Sequence, residues 1–141
     1  MAKIMIYEDE TEDLVNRYSK LTKNHDVHVC IVGSMSNALK ETWLKDKLQE
    51  SGFNMSKVKG VAYANRIGNP NWESEYVEIP PSDVYFTDGL SGGCFDILKR
   101  LPKEKAYLLT TSEDIEEKAI EKGYQLASGD LEEIIQKTLS K

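Results

Sequence analysis

The N-terminal segment reads Ile4-Met5-Ile6-Tyr7-Glu8-Asp9-Glu10, in which four apolar residues are followed at once by three acidic ones. A short, continuous apolar run of this kind is typical of a strand that is buried on both faces of a sheet. The next residues, 11–23, carry apolar side chains at helical spacing. A buried strand followed directly by an amphipathic helix is the repeating unit of α/β proteins.

The same alternation continues along the chain. Four more strands are predicted, at 27–32, 84–86, 106–109 and 124–127. Four more helices are predicted, at 34–51, 94–101, 112–122 and 130–139. Strands that alternate with helices are joined by right-handed crossovers and form a parallel sheet covered on both faces. The sequence therefore predicts one α/β domain over 1–141 with a doubly wound, five-stranded parallel sheet.

One segment is longer than this pattern needs. Between the second and third predicted strands lie residues 33–83, where a helix with two short loops needs roughly 25 residues. The segments Val58–Ala64 and Glu75–Ile79 have the composition of short strands on either side of a turn-rich stretch. We therefore expect an insertion at 53–82, either a hairpin or an extra edge strand.

Composition and charge exclude several classes of function. The chain has 141 residues, of which 18 are basic and 24 acidic, for a net charge of −6. An acidic chain without a basic cluster is not suited to binding nucleic acid or an anionic membrane. Two isolated cysteines do not make a disulfide framework or a zinc site. No apolar run approaches the ~18 residues of a membrane span, and no signal-peptide core is present, so we expect a cytoplasmic location.

Polar side chains follow three of the predicted strands. The first strand ends in Glu8 and Asp9, the strand at 84–86 leads to Asp88, and the strand at 106–109 is followed by Thr110. In a doubly wound sheet the ligand site lies at the carboxyl ends of the strands, so these groups converge on one cleft. Clustered carboxylates suit Mg²⁺. A carboxylate beside such a metal can act as the nucleophile in phosphoryl transfer, with a hydroxyl bonding a phosphate oxygen.

In their order and placement these motifs resemble the receiver domain of bacterial response regulators. Ile4-Met5-Ile6-Tyr7-Glu8-Asp9-Glu10 is similar to the family's first strand, which ends in an acidic pair. Asp83-Val84-Tyr85-Phe86-Thr87-Asp88 is similar to its third strand, which ends in the phosphoacceptor aspartate. Leu108-Leu109-Thr110-Thr111 is similar to its fourth strand, which ends in a switch threonine or serine. The resemblance implies a flavodoxin-like sheet with strand order 2-1-3-4-5.

The resemblance also implies a role for each site residue. Asp88 would accept a phosphoryl group, and Thr110 would be the switch hydroxyl that reports it. Glu8, Asp9, Asp88 and the backbone carbonyl of Leu90 would hold Mg²⁺. The phosphoryl donor would be a sensor histidine kinase or a phosphotransfer protein of a two-component system. Because 141 residues leave no room for an output domain, a stand-alone receiver would act by contacting a target protein.

The sequence departs from the family at three places. Ala127 or Ser128 stands at the end of the fifth strand, where the family has a lysine that pairs with the phosphate. Glu8 stands where an aspartate is usual, and the loop at 89–93 lacks the usual proline. These departures leave open a pseudo-receiver that works as an interaction module without phosphorylation.

A phosphatase of the haloacid-dehalogenase type is a further alternative. Its two first motifs resemble Phe86-Thr87-Asp88-Gly89 and Leu108-Leu109-Thr110-Thr111. Leu90, however, stands where that family has a second aspartate. Under the receiver interpretation the chain has no enzymatic activity beyond its own phosphorylation and dephosphorylation at Asp88.

Overall fold

Six strands, all parallel, form one sheet within the part of the chain that the structure describes. The structure is a computed structural model, and it describes residues 1–32, 42–61, 78–90 and 93–141. The strands lie in the order β3-β2-β1-β4-β5-β6. They are β1 (Lys3–Glu8), β2 (Asp26–Val32), β3 (Val58–Val61), β4 (Val84–Asp88), β5 (Ala106–Leu109) and β6 (Gln125–Leu126).

Helices connect the strands and cover the sheet. The α-helices are α1 (Thr11–Tyr18), α2 (Thr42–Glu50), α3 (Cys94–Leu98), α4 (Glu113–Glu121) and α5 (Leu131–Leu139). Short 3-10 turns lie at Ser19–Lys23, Met55–Lys57 and Lys103–Lys105. Two helices begin at side-chain caps: Ser112 accepts from the Ile115 N–H at 3.4 Å, and Asp130 accepts from the Glu132 N–H at 2.9 Å. No helix within the described ranges is long and apolar enough to cross a membrane.

Alternate residues of the central strand face two separate cores. Ile4 and Ile6 of β1 pack with buried residues of α1, α2 and α5 on one face of the sheet. Met5 and Tyr7 pack with buried residues of α3 and α4 on the other face. Because β1 is buried on both faces, its apolar run is continuous rather than alternating. The prediction of an α/β fold with a parallel sheet is confirmed.

The sheet has six strands, the five of the predicted pattern and an extra edge strand, which is one of the two forms expected for the insertion. The additional strand, β3, lies in the predicted insertion and pairs in parallel with the outer edge of β2. Pairing satisfies the backbone groups that β2 would otherwise leave unpaired at the sheet edge. The other five strands follow one another as β2-β1-β4-β5-β6. The second strand predicted in the insertion, Glu75–Ile79, lies mostly outside the described residues. Residues 33–41 of the second predicted helix also lie outside them.

The order in which strands are added to the sheet reverses between β1 and β4: β2 and β3 lie on one side of β1, and β4, β5 and β6 lie on the other. From β1 it leads into α1 on one face, and from β4 it leads into α3 on the other face. At such a switch point the two connections diverge and leave a crevice at the carboxyl ends of the strands. The fold therefore places the residues that end β1 and β4 at the mouth of one crevice.

Candidate functional site

Three carboxylates meet at this crevice. Glu8 ends β1, Asp9 follows it, and Asp88 ends β4. One carboxylate oxygen from each residue lies within 4.8 Å of the other two. We call these three residues the acidic triad. The structure thus brings together the three side chains that the sequence predicts to hold a metal.

Glu8 is the buried member of the triad. Its side chain follows Ile4 and Ile6 on the face of β1 that packs against α1, and it is 0% exposed. Its Oε1 accepts hydrogen bonds from the backbone N–H groups of Asp9 and Glu10, at 3.1 and 3.4 Å. Those donors precede α1, where backbone N–H groups stabilise a negative charge. Its Oε2 faces away from them toward Arg17.

Asp88 is more accessible, with 17% of its side chain exposed. Its Oδ2 accepts from the Leu90 N–H at 3.2 Å. Leu90 has a φ of +49°, in the left-handed region that a leucine seldom adopts. Such a conformation costs about 1–3 kcal/mol and persists where packing fixes it, and the Leu90 side chain is fully buried. The strained turn therefore fixes an N–H donor on the Asp88 carboxylate.

A cation lies between the two strand-end acids. Nη1 of Arg17 is 3.4 Å from Oε2 of Glu8 and 3.2 Å from Oδ1 of Asp88. Its Nη2 is 3.9 Å from Oδ2 of Asp13, one helical turn earlier. Arg17 is in the second turn of α1, and helical side chains lean toward the N-terminus, so the guanidinium extends back to the crevice.

The negative charges of the triad are only partly balanced. Burial raises the pKa of Glu8 to about 9, the neighbouring Asp88 and Asp9 add to the rise, and Arg17 opposes it. Burial, followed by the Asp88 charge, also raises the pKa of Asp9. The Tyr18 hydroxyl is buried beside this site without a hydrogen-bond partner among the described residues, and burial and then Glu8 raise its pKa. Within the triad the Arg17 guanidinium contacts Glu8 and Asp88 but not Asp9, so the site favours a further cation.

The raised pKa of Glu8 predicts that the protein loses stability as the pH rises. Between the ordinary pKa of 4.5 and about 9, Glu8 is ionised in the unfolded chain and protonated in the metal-free fold. The unfolded state therefore binds fewer protons. Glu8→Gln removes this effect. We expect it to raise the free energy of unfolding by about 0.5–2 kcal/mol at about pH 8 and to change it little at about pH 4.

Urea denaturation at the two pH values measures this effect. Glu117→Gln, at an exposed position of α4, serves as the control and should show no pH-dependent gain. A Glu8→Gln variant that is less stable than the wild type at the higher pH contradicts the prediction.

Thr110 lies on the same crevice, beyond the end of β5. A cleft of about 370 Å³ is lined by Asp9, Arg17, Asp88 and Thr110 among others. Oγ1 of Thr110 accepts from the Ser112 N–H at 3.2 Å. The Leu90 carbonyl, which the resemblance implies as a metal ligand, accepts from the Gly93 N–H at 2.9 Å, and its role as a ligand stays a prediction.

Gly89 lets Thr110 approach the Asp88 loop. A Cβ at Gly89 would lie 2.8 Å from Oγ1 of Thr110 and 3.1 Å from Cδ1 of Ile115. We expect Gly89→Ala to lower the free energy of unfolding by about 1–3 kcal/mol, because the added methyl group overpacks the site. Thr110→Ala removes the closest clashing atom, so the double variant should recover part of the loss. Urea denaturation of the two single variants and the double variant tests this, and strictly additive effects contradict it.

The donor set of the triad fits a hard divalent cation. Glu8, Asp9 and Asp88 offer only carboxylate oxygens, the ligands that Mg²⁺ prefers. They are the residues that would hold the ion. Arg17, which the sequence analysis missed, is the positively charged residue among the described residues that line the cleft. The sequence indicates only that Arg17 is a long, positively charged side chain at the edge of the buried face of α1, which contains Leu14 and Tyr18.

No protein family, curated protein or solved structure matches this chain. The strand order is the one found in doubly wound dinucleotide-binding sheets, but a shared fold does not establish a shared function. In those proteins a glycine-rich turn after the first strand receives a pyrophosphate. Here that turn is Glu8-Asp9-Glu10, which repels an anion unless a cation is bound. The function is therefore inferred from the residues of the crevice.

Proposed function

We propose that this chain is a receiver-like signalling domain in which Asp88 accepts a phosphoryl group, with Mg²⁺ held by the acidic triad. The observation that carries the proposal is the approach of the Glu8, Asp9 and Asp88 carboxylates to within 4.8 Å at the switch point of the sheet. Thr110 on the same cleft adds a hydroxyl of the expected type. In finer terms the fold would be flavodoxin-like, with β3 added beside β2.

Exposure distinguishes the roles of the two strand-end acids. Glu8 is 0% exposed. The Asp88 side chain is 17% exposed, and it lines the cleft. An Asp88 oxygen forms the new bond to phosphorus while the bond from phosphorus to the donor nitrogen or oxygen breaks, and the leaving group departs with the electron pair. The Thr110 hydroxyl then donates to a phosphoryl oxygen. Mg²⁺ at the triad would offset the charge on the phosphoryl oxygens.

The partners of such a domain are proteins. A sensor histidine kinase or a phosphotransfer protein would present a phosphohistidine to the cleft, and a target protein would bind the phosphorylated form. The net charge of −6 supports a protein partner over a nucleic acid.

Incubation with acetyl phosphate and Mg²⁺ tests the proposal without a partner. Intact-mass spectrometry should show the addition of one phosphoryl group, and reduction with borohydride followed by peptide mapping should locate the acyl phosphate at Asp88. Incorporation at another residue, or none when Mg²⁺ is present, contradicts the proposal.

A second candidate function is a pseudo-receiver that binds a partner without phosphorylation. The observation that favours it is the Arg17 guanidinium, which already bridges Glu8 and Asp88. The absence of a lysine at Ala127 and Ser128 also favours it. No described contact favours the phosphatase alternative, since the side chain two residues after Asp88 is the buried, apolar Leu90.

A further inference from the structure

In both strand-end acids, Glu8 and Asp88, one carboxylate oxygen accepts hydrogen bonds from backbone N–H groups and the other accepts from Arg17. Glu8 turns Oε1 to the Asp9 and Glu10 N–H groups, and Asp88 turns Oδ2 to the Leu90 N–H. The remaining oxygens, Oε2 of Glu8 and Oδ1 of Asp88, both face Nη1 of Arg17. On Glu8 and Asp88, the oxygens without a backbone donor are thus the two that the guanidinium contacts, and the third carboxylate of the triad belongs to Asp9.

A metal ion bound to both of these oxygens would compete with the guanidinium for the position between them. Mg²⁺ binds its oxygen ligands at about 2.0–2.1 Å and needs a regular octahedral shell. A guanidinium nitrogen 3.2 and 3.4 Å from the same two oxygens lies where the ion or its bound water would stand. The like charges also repel strongly at this range, since the site is partly buried. We propose that Arg17 and a divalent cation occupy the triad as alternatives, so that Arg17 sets the metal affinity of the site.

Arg17 also has an alternative partner outside the triad, Asp13. Its Nη2 is 3.9 Å from Oδ2 of Asp13, and 35% of the Asp13 side chain is exposed. The two residues are four apart on α1, a spacing at which helical side chains meet. When a metal enters the triad, the guanidinium releases Glu8 and Asp88 and keeps its contact with Asp13 at the solvent edge. Arg17 is therefore a built-in competitor that offsets part of the negative charge of the triad until a metal binds.

This inference rests on one part of the proposed function, the assignment of the triad as a metal site. It does not require Asp88 to be phosphorylated. The test is a titration of the full chain with Mg²⁺ alone, in which calorimetry and amide NMR measure binding. Arg17→Met keeps the length and apolar stem of the side chain and removes its charge. Lys20→Met, at an exposed position just beyond α1, is the matched control.

We expect Arg17→Met to bind Mg²⁺ about 10- to 100-fold more tightly than the wild type, the range that a partly buried charge-assisted contact represents. Lys20→Met should bind as the wild type does. The Mg²⁺ affinity of Arg17→Lys should lie between those of the wild type and Arg17→Met, because a lysine keeps the charge without the planar fork. A purely structural role for Arg17 predicts the opposite direction, since a loosened site binds a metal more weakly.

Other outcomes separate this inference from the proposed function. An unchanged or weaker affinity in Arg17→Met overturns the inference and leaves the phosphoryl acceptor standing. Absence of Mg²⁺ binding in both proteins overturns the inference together with the metal part of the proposed function. Tighter binding without phosphorylation supports the inference and removes the phosphoryl acceptor. Should Arg17→Met fail to fold, the side-chain NMR resonance of Arg17 in the wild type decides, because it must shift when Mg²⁺ binds.

Discussion

Replacing Asp88 by asparagine is expected to reduce phosphoryl incorporation from acetyl phosphate to background, a fall of at least about 100-fold. An amide lacks the anionic oxygen that attacks phosphorus. Asparagine has the same shape, and its Oδ1 can still accept from the Leu90 N–H, which now bonds Oδ2 of Asp88 at 3.2 Å. The turn at Leu90 is therefore retained, and the loss reports chemistry and not unfolding.

The same strand offers a matched control for this variant. Asp83 directly precedes β4, at the end opposite Asp88, and its Oδ2 accepts from the Lys3 N–H at 2.8 Å. Asp83→Asn makes the same chemical change, keeps an acceptor for Lys3, and should leave incorporation unchanged. Intact-mass spectrometry measures both variants. If Asp88→Asn is phosphorylated as fast as the wild type, the acceptor is another residue.

Replacing Phe86 by alanine is expected to have the largest effect on stability, a loss of about 3–5 kcal/mol in the free energy of unfolding. Phe86 is 0% exposed at the centre of β4. Its ring lies 5.9 Å from the Tyr18 ring and 6.0 Å from the Tyr107 ring, centroid to centroid. Truncation leaves a cavity and also removes two aromatic contacts of about 0.5–1.5 kcal/mol each.

Such a loss is a large part of the roughly 5–15 kcal/mol typical of a domain, that is, about a fifth or more. Urea denaturation followed by circular dichroism measures it. The control is Ile120→Ala on α4, where the side chain is 62% exposed and the change should stay within about 0.5 kcal/mol. Equal losses in the two variants contradict the central place of Phe86 in the core.

The elements that position the site were predictable because they are buried on both faces. β1 and β4 have continuous apolar runs that end in acidic residues, and this pattern alone indicates strands whose carboxyl ends carry charge. The caps at Ser112 and Asp130 were predictable for a local reason, since each needs only one side chain and a nearby N–H. The meeting of the three acids then follows from the parallel arrangement.

Other features depend on tertiary contacts that a sequence pattern does not encode. A strand beginning at Val58 is expected from the composition of residues 58–64, whereas the parallel pairing of β3 (Val58–Val61) with the edge of β2 is set by tertiary contacts. Leu90 adopts a positive φ where glycine would be the expected residue, because burial of its side chain fixes the turn. Arg17 reaches Glu8 and Asp88 through the lean of a long side chain, and helical spacing marks it only as a residue beside the buried face.

The most direct test of the central claim is an amide NMR spectrum of the chain alone, with Mg²⁺, and with Mg²⁺ plus beryllofluoride, a phosphoryl mimic. We expect Mg²⁺ to shift the resonances of Asp9 and Asp88, and beryllofluoride then to shift Thr110 and the residues of α4 and α5. The Asp88→Asn variant should lose the second set of shifts. Spectra that neither addition changes would contradict a phosphoryl-accepting site at the acidic triad.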